Sequence, residues 1–204
     1  MKKFGNYDEA KKQAQASGSK RLPAGAYVCK ILGVKYEEGQ NGNSGHIVLQ
    51  FDITEGELAG FFQKQYEEST ADDKKYKGRV SIYVPRDDGS EKDGWTKRTF
   101  AGWTSVFEDS NEGYTWDWDE KKWKGKVVGI VFGETGTVIE GKEIVYTEPR
   151  FAVSAEQVRN GSAPAAKFKA KNGYTGNGSS STSGSSSDGF LNIPDGQVEE
   201  LPFD

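Results

Sequence analysis

Aromatic and basic residues lie close together at several places along the chain, a combination that suits binding more than catalysis. Residues 74–77 combine three lysines with a tyrosine, and Trp95 lies beside Lys97 and Arg98. Flat rings stack on bases of any identity and cations neutralise phosphates, so a groove that carries both can hold an unpaired nucleic-acid strand. The candidate residues are of these two types and lie in these segments or at outward positions of predicted strands: Lys30, Lys35, Tyr36, Lys74, Lys75, Tyr76, Lys77, Arg79, Tyr83, Trp95, Lys97, Arg98, Arg150 and Phe151.

The chain offers little for catalysis or metal binding. It has one cysteine, Cys29, and one histidine, His46, which excludes an internal disulfide and a zinc site built from cysteine and histidine alone. Asp117, Asp119 and Glu120 carry oxygen ligands, but the two lysines that follow favour a helix start with charge pairs. No glycine-rich run has the spacing of a phosphate-binding loop. We therefore predict a binding protein with no catalytic residue, no metal and no cofactor.

Apolar residues recur with strand periodicity in five segments, and glycine-bearing turns separate them. In the first segment, Gly33 interrupts the apolar pattern and predicts a bulge or a bend. Between the third and fourth segments, Phe100, Trp103, Val106 and Phe107 have the spacing of one helix face. The five predicted strands cover residues 26–36, 46–54, 79–85, 124–133 and 142–154.

Three strands, a helix and a two-stranded hairpin follow one another in the order of a five-stranded oligonucleotide- and oligosaccharide-binding (OB) barrel. In that barrel the first strand is bent and pairs on both sides, and the helix between strands 3 and 4 closes one end. We therefore predict a mainly β, five-stranded OB-fold barrel with one helix, followed by a disordered tail. The competing fold, an eight-stranded sandwich, needs more strand signals than residues 54–79 provide.

The tryptophans divide between the predicted core and the predicted surface. Trp103 shares the apolar face of the helix and is expected in the core, while Trp116, Trp118 and Trp123 are expected to pack the connection between the helix and the fourth strand. Trp95 is assigned to a polar loop with two cations beside it, so it is the one tryptophan among the candidate binding residues.

Charge and composition divide the chain into an alternating body and an acidic end. All 27 lysines and arginines lie before residue 172, together with 26 of the 31 aspartates and glutamates, so the body is nearly neutral and the last 33 residues carry five negative charges. Residues 172–187 are almost entirely glycine, serine, threonine and asparagine, the composition of a flexible linker. The predicted organisation is an N-terminal arm at 1–21, a binding domain at 22–161, a linker at 162–187 and an acidic partner-docking tail at 188–204.

No segment of the sequence has the character of a membrane span or a leader. No apolar run approaches the roughly 18–20 residues that cross a bilayer, and the first residues lack the apolar centre of a signal peptide. A cytoplasmic protein without membrane contact is therefore expected.

The layout of body, linker and acidic end EELPFD resembles the single-stranded DNA-binding proteins of bacteria and their phages. The segments KGKVVGIVFGE, YTEPRFAVSAEQVRNG and DGFLNIPDG also resemble a family of small phage and mobile-element proteins from Gram-positive bacteria that are thought to coat single strands. The resemblance implies single-stranded DNA binding in replication, recombination or repair inside a bacterial host. It also implies that the tail recruits partner proteins through Glu199, Glu200, Leu201, Pro202 and Phe203. This chain departs from the family pattern because Asp204 follows the phenylalanine.

Two other functions are compatible with this sequence. A carbohydrate-binding or phage structural β-domain also presents exposed rings on strands, but it needs no cations. An inhibitor that acts by mimicry would make the acidic tail the active part. If the body does bind strands, the tail is expected to compete with nucleic acid for the groove within the same molecule. Pairing of barrel edges between protomers would give a homo-oligomer, which the sequence leaves open.

Overall fold

The computed structural model describes residues 21–40, 43–70 and 73–176. Each of its five longer strands and its longest helix coincides with a segment of strand or helix periodicity in the sequence. In chain order the elements are β1 (Gly25–Glu37), β2 (His46–Ile53), α1 (Phe61–Glu68), β3 (Arg79–Tyr83), α2 (Glu91–Ser110), a 3-10 helix (Glu120–Trp123), β4 (Val127–Ile139), β5 (Lys142–Val153), α3 (Ala155–Arg159) and β6 (Lys169–Ala170).

The strands form one open sheet in the order β3-β2-β1-β4-β5, in which all these neighbours are antiparallel. β6 pairs parallel with the second half of β4. The mainly β class and the placement of the long helix between the third and fourth strands are confirmed. Within the described residues the two edge strands, β3 and β5, do not pair with each other.

Strand β1 is bent, as Gly33 predicted. Its first half pairs with β4 from Gly25 to Lys30, while its pairing with β2 shifts register between Ile31 and Gly33. A bulge increases the local twist and turns the strand. β1 therefore belongs to both halves of the sheet.

One face of the sheet and one face of α2 enclose the core. The fully buried strand residues include Leu49, Phe51 and Ile130. The helix contributes Phe107, whose ring stacks on that of Trp123 with centroids 4.5 Å apart and an angle of 9°. Trp103 is buried as predicted, together with Phe100. Burying large rings in this way contributes roughly 1.5–3 kcal/mol for each side chain.

Residues 162–176, which the sequence analysis placed in the linker, form a segment that lies against β4, and we call it the C-terminal strap. A methyl group added at Gly133 would lie 2.7 Å from Ala166 Cβ, and one added at Gly136 would lie 2.6 Å from the Tyr174 ring. Only glycine allows this close approach. The end of the strap is fixed because the backbone N–H and hydroxyl of Thr175 donate to Glu143, at 2.9 and 2.8 Å.

In the part of the chain that the structure describes, no helix has the length and apolar character needed to cross a membrane.

Candidate nucleic-acid interface

The outer face of β1–β3 is the side of these three strands that points away from the core. Ile47, Leu49 and Ile82 point into the core, so the residues that alternate with them lie on the opposite side. Cross-strand partners share a face, which makes the outer face a grid of three rows. The rows are Glu37–His46–Tyr83, Lys35–Val48–Ser81 and Gly33–Gln50–Arg79.

This grid brings together three of the predicted binding residues: Lys35, Arg79 and Tyr83. All three are exposed, and Tyr83 retains 43% of its accessible surface. The ring of His46, which was not a candidate, lies 5.9 Å from the Tyr83 ring at an angle of 51°. The face thus offers a pair of neighbouring rings, with Lys35 in the adjoining row and Arg79 in the row beyond it.

The charges of the outer face are only partly neutralised. Lys35 pairs with Glu37 at 2.9 Å, and His46 lies 3.2 Å from the same carboxylate. The hydrogen bond from Lys35 lowers the pKa of Glu37, with Coulombic help from Lys35, His46 and Arg79. Among the described residues, Arg79 has no carboxylate within ion-pair distance. Its guanidinium is therefore available to an incoming anion.

The loop before β3 adds exposed lysines, and the half-buried ring of Tyr76 anchors this loop. The Tyr76 hydroxyl donates to the carbonyl of Phe51 at 3.1 Å, and burial raises the pKa of Tyr76. The ring is therefore an anchor for the loop and is only partly accessible to a base. Lys74, Lys75 and Lys77 remain exposed, and the Lys74 ammonium lies 4.9 Å from the centroid of the Tyr66 ring.

Two candidates on β1 lie apart from the grid. Tyr36 is the cross-strand partner of Ile47, so it belongs to the core side, although it is 46% exposed near the end of the strand. Lys30 is exposed on the outer side opposite Asp52. The Asp52 carboxylate is buried and accepts from the backbone N–H groups of Phe62 and Gln63, so this part of the sheet holds the start of α1.

The prediction of a polar loop around Trp95 is wrong. Trp95, Lys97 and Arg98 lie in α2, which begins at Glu91. The Ser90 side chain accepts from the Asp93 backbone N–H, and this cap extends the helix by two turns beyond the apolar face that predicted it. Lys97 pairs with Asp87 and with Asp93, so its charge is neutralised on the helix surface.

The two candidates on β5 also lie away from the grid. The Arg150 side chain is only 15% exposed and pairs with Glu148 at 3.0 Å. It also donates to the Glu134 carbonyl at 2.9 Å and to the Thr135 hydroxyl at 2.6 Å. Phe151 is half-buried opposite Val131. Arg150 therefore stabilises the β4–β5 hairpin.

Trp118 was assigned to packing, and its ring does stack on Phe100, but the side chain is 78% exposed. Trp123 is fully buried and Trp116 is half-buried, as expected for residues that pack the connection. The backbone of Trp118 is left-handed, with φ at 66°. Nothing in the local pattern predicts that conformation, since left-handed residues are usually glycine, asparagine or aspartate.

Other reactive side chains are not assembled into a site. Cys29 is buried, and desolvation raises the pKa of its thiol. Over the described ranges, no three histidine, cysteine, aspartate or glutamate residues form a group that could hold a metal ion. The predicted partner-binding residues, Glu199, Glu200, Leu201, Pro202 and Phe203, lie outside the described residues.

Comparison with known proteins does not assign the chain: no family model matches it and no curated protein matches it.

Proposed function

We propose that the protein binds single-stranded DNA without reading its base sequence, through the outer face of β1–β3. The observation that carries the proposal is the placement of Lys35, Arg79 and Tyr83 on one exposed face, opposite the core. Rings that stack on any base, next to cations that meet phosphates, are the requirements for this activity. Lys74, Lys75 and Lys77 extend the positive charge beyond the edge of the grid.

Rings must supply much of the affinity. The body of the chain is nearly neutral, so long-range attraction of a polyanion is weak. Stacking contributes about 1–3 kcal/mol per base, whereas the cationic contribution falls as salt rises. A strand bound here is therefore expected to show a moderate salt dependence.

We also propose that the sheet closes as an OB barrel through an approach of β3 and β5. The sheet order, the bent β1 and the position of α2 between β3 and β4 support this topology. Hydrogen bonds between β3 and β5 in a crystal structure are the expected result, and a solvent-filled gap between these edges would contradict the barrel.

The acidic tail at 188–204 is proposed to recruit replication or recombination proteins while the body coats a strand in the cytoplasm of a bacterial host. This proposal is supported by the distribution of charge along the chain, because all the lysines and arginines precede residue 172 and the last 33 residues have none. We further propose that the protein is a binding module and not an enzyme.

The test is a titration of the full chain with a fluorescein-labelled thymidine oligomer, followed by anisotropy at two salt concentrations. Binding is expected to weaken with a log–log slope of about −0.7 for each neutralised phosphate. Arg79→Ala is expected to weaken binding and to make the slope less negative by about 0.7. Arg159→Ala is the matched control because this exposed arginine pairs with Glu55 away from the grid. No binding by the wild type would overturn the proposal.

A carbohydrate-binding function is the second candidate, and the exposed rings of Tyr83 and Trp118 favour it. Sugars also stack on flat rings, but neutral sugars need no cations. A glycan array with a hit that is insensitive to salt, together with an inert thymidine oligomer, would support this alternative.

A further inference from the structure

We propose that Trp118 is a stacking platform for one unpaired base of the bound strand. The inference rests on the proposed function and adds a contact outside the outer face of β1–β3. Trp118 lies in the connection between α2 and the 3-10 helix, and it is the most exposed large apolar side chain described.

The backbone holds this ring in an unfavourable conformation. The φ angle of Trp118 is 66°, in the region that disfavours residues with a Cβ atom. Such conformations persist where the surrounding structure imposes them, and they cluster at binding sites. Here both neighbours along the chain are fixed: Asp117 pairs with Lys122, and the Asp119 carboxylate accepts from the Lys121 backbone N–H at 3.1 Å.

The ring is supported on one side. It stacks on Phe100 with centroids 6.3 Å apart and an interplanar angle of 16°, and its centroid lies 5.9 Å from that of Trp116. Phe100 is itself buried, so the support is part of the core. A parallel stack leaves the opposite face of the indole toward solvent, and a ring already in place loses little freedom when a base stacks on it.

The lysines that follow Trp118 along the chain match the charge of a strand. Four lysines lie in residues 121–126, within eight positions of Trp118. Lys121 and Lys124 are exposed, and neither side chain pairs with a carboxylate among the described residues. A planar ring followed in the chain by unpaired lysines fits a nucleobase with its phosphates better than a neutral apolar partner.

The test compares Trp118→Ala and Trp118→Phe in the full chain, using a labelled thymidine oligomer and an abasic oligomer of the same length. Trp118→Ala is expected to weaken thymidine binding at least about fivefold, as the loss of one stack requires. Trp118→Phe should retain most of the affinity, and neither change should alter abasic binding. Ile139→Ala, an exposed apolar residue at the β4–β5 turn, is the matched control and should bind like the wild type.

Stability separates a binding role from a structural one. Trp118→Gly is expected to bind as weakly as Trp118→Ala yet melt at the wild-type temperature, because glycine relieves the left-handed strain and offsets the lost contact with Phe100. Equal thymidine affinity of Trp118→Ala and wild type would overturn the inference and leave the proposed function standing. So would a parallel loss of abasic binding and melting temperature. A wild type that binds no thymidine oligomer would overturn both.

Discussion

The two halves of the sheet differ in what packs on their outer side: β4–β5 is the covered half and β1–β3 is the open half. On β4, a methyl group added at Gly129 would lie 2.6 Å from Val158 of α3, and the strap lies close to Gly133 and Gly136. On β1–β3, the outer positions carry Lys35, Arg79 and Tyr83, and all three side chains are exposed. The chain uses its last described elements to cover one half and leaves the other half accessible, which is why we place the ligand on β1–β3.

The same difference separates the arginines. Arg150 on the covered half is bonded to Glu148, Glu134 and Thr135, while Arg79 on the open half is paired with no carboxylate in the described chain. Position on a strand does not distinguish them. Their contacts in the folded chain distinguish them, because Arg150 is held by residues of β4 and β5 and Arg79 has no such partner among the described residues.

The largest effect is expected from removing the ring of the open half. Tyr83→Ala should weaken binding of a thymidine oligomer by about 1–3 kcal/mol, because one base loses its stacking partner. The slope of affinity against salt should stay the same, since no cation is lost. Anisotropy at several salt concentrations measures both quantities. Tyr83→Phe keeps the ring and should bind like the wild type; an equal loss in both variants would implicate the hydroxyl instead.

A change in the covered half is expected to lower stability without touching binding. Gly129→Ala places a methyl group 2.6 Å from Val158 and 2.8 Å from the Val153 carbonyl, and such overpacking costs about 1–3 kcal/mol. Urea unfolding measures the loss, and affinity for the oligomer at a temperature where the variant is folded should not change.

Gly102→Ala is the matched control for that change. Nothing lies within 4 Å of the added methyl group at this position in α2, so the helix should gain about 0.5–1 kcal/mol. If Gly129→Ala instead weakened binding at full stability, the division between the two halves would be incorrect.

Removing the tail tests whether it occupies the open half of the sheet. A chain that ends at Gly176 keeps the strap and its Thr175–Glu143 hydrogen bonds, and it lacks all five acidic residues that follow residue 171. Binding at low salt should tighten a few fold if the tail competes for the open half. Unchanged affinity would remove the competition. Ending the chain at Lys171 is a poorer experiment, because it also removes Tyr174 from its contact with Phe168.

The smallest effect is expected in the pH dependence of the stability that the contact between Glu143 and Thr175 provides. Hydrogen bonds from Thr175 lower the pKa of Glu143 below its ordinary 4.5, so this contact stabilises the fold above that pH and is lost as pH falls through the folded-state pKa. Glu143→Gln should therefore melt below the wild type at pH 6, and the difference should shrink toward pH 3. A difference that is constant over this range would show that charge plays no part in holding the strap.

Strands and their apolar faces could be predicted because their signals are local. Gly33 marked the bulge, and Phe100, Trp103 and Phe107 marked the buried face of α2. The start of α2 had a local signal too, in Ser90 and Asp93, which the sequence analysis did not use.

The accessible set of binding residues could not be predicted in the same way. Whether Arg150 or Arg79 remains exposed depends on contacts across the sheet, such as those of Arg150 with Glu134 and Thr135 on β4. Four of the six apolar residues of the strap are alanines and its strand β6 has only two residues, so the strap gives a weak strand or helix signal in the sequence. The left-handed backbone of Trp118 has no sequence signature in a tryptophan, and nothing in the local pattern predicts the exposure of its ring.

The hydrogen bonds between Thr175 and Glu143 fix the position from which the rest of the chain leaves the described domain. The next 28 residues start beside the turn that joins β4 to β5, not beside the edge at β3. Fully extended, these residues span at most about 100 Å, so under the proposed function a partner docked at their end can lie well beyond the body that binds the strand.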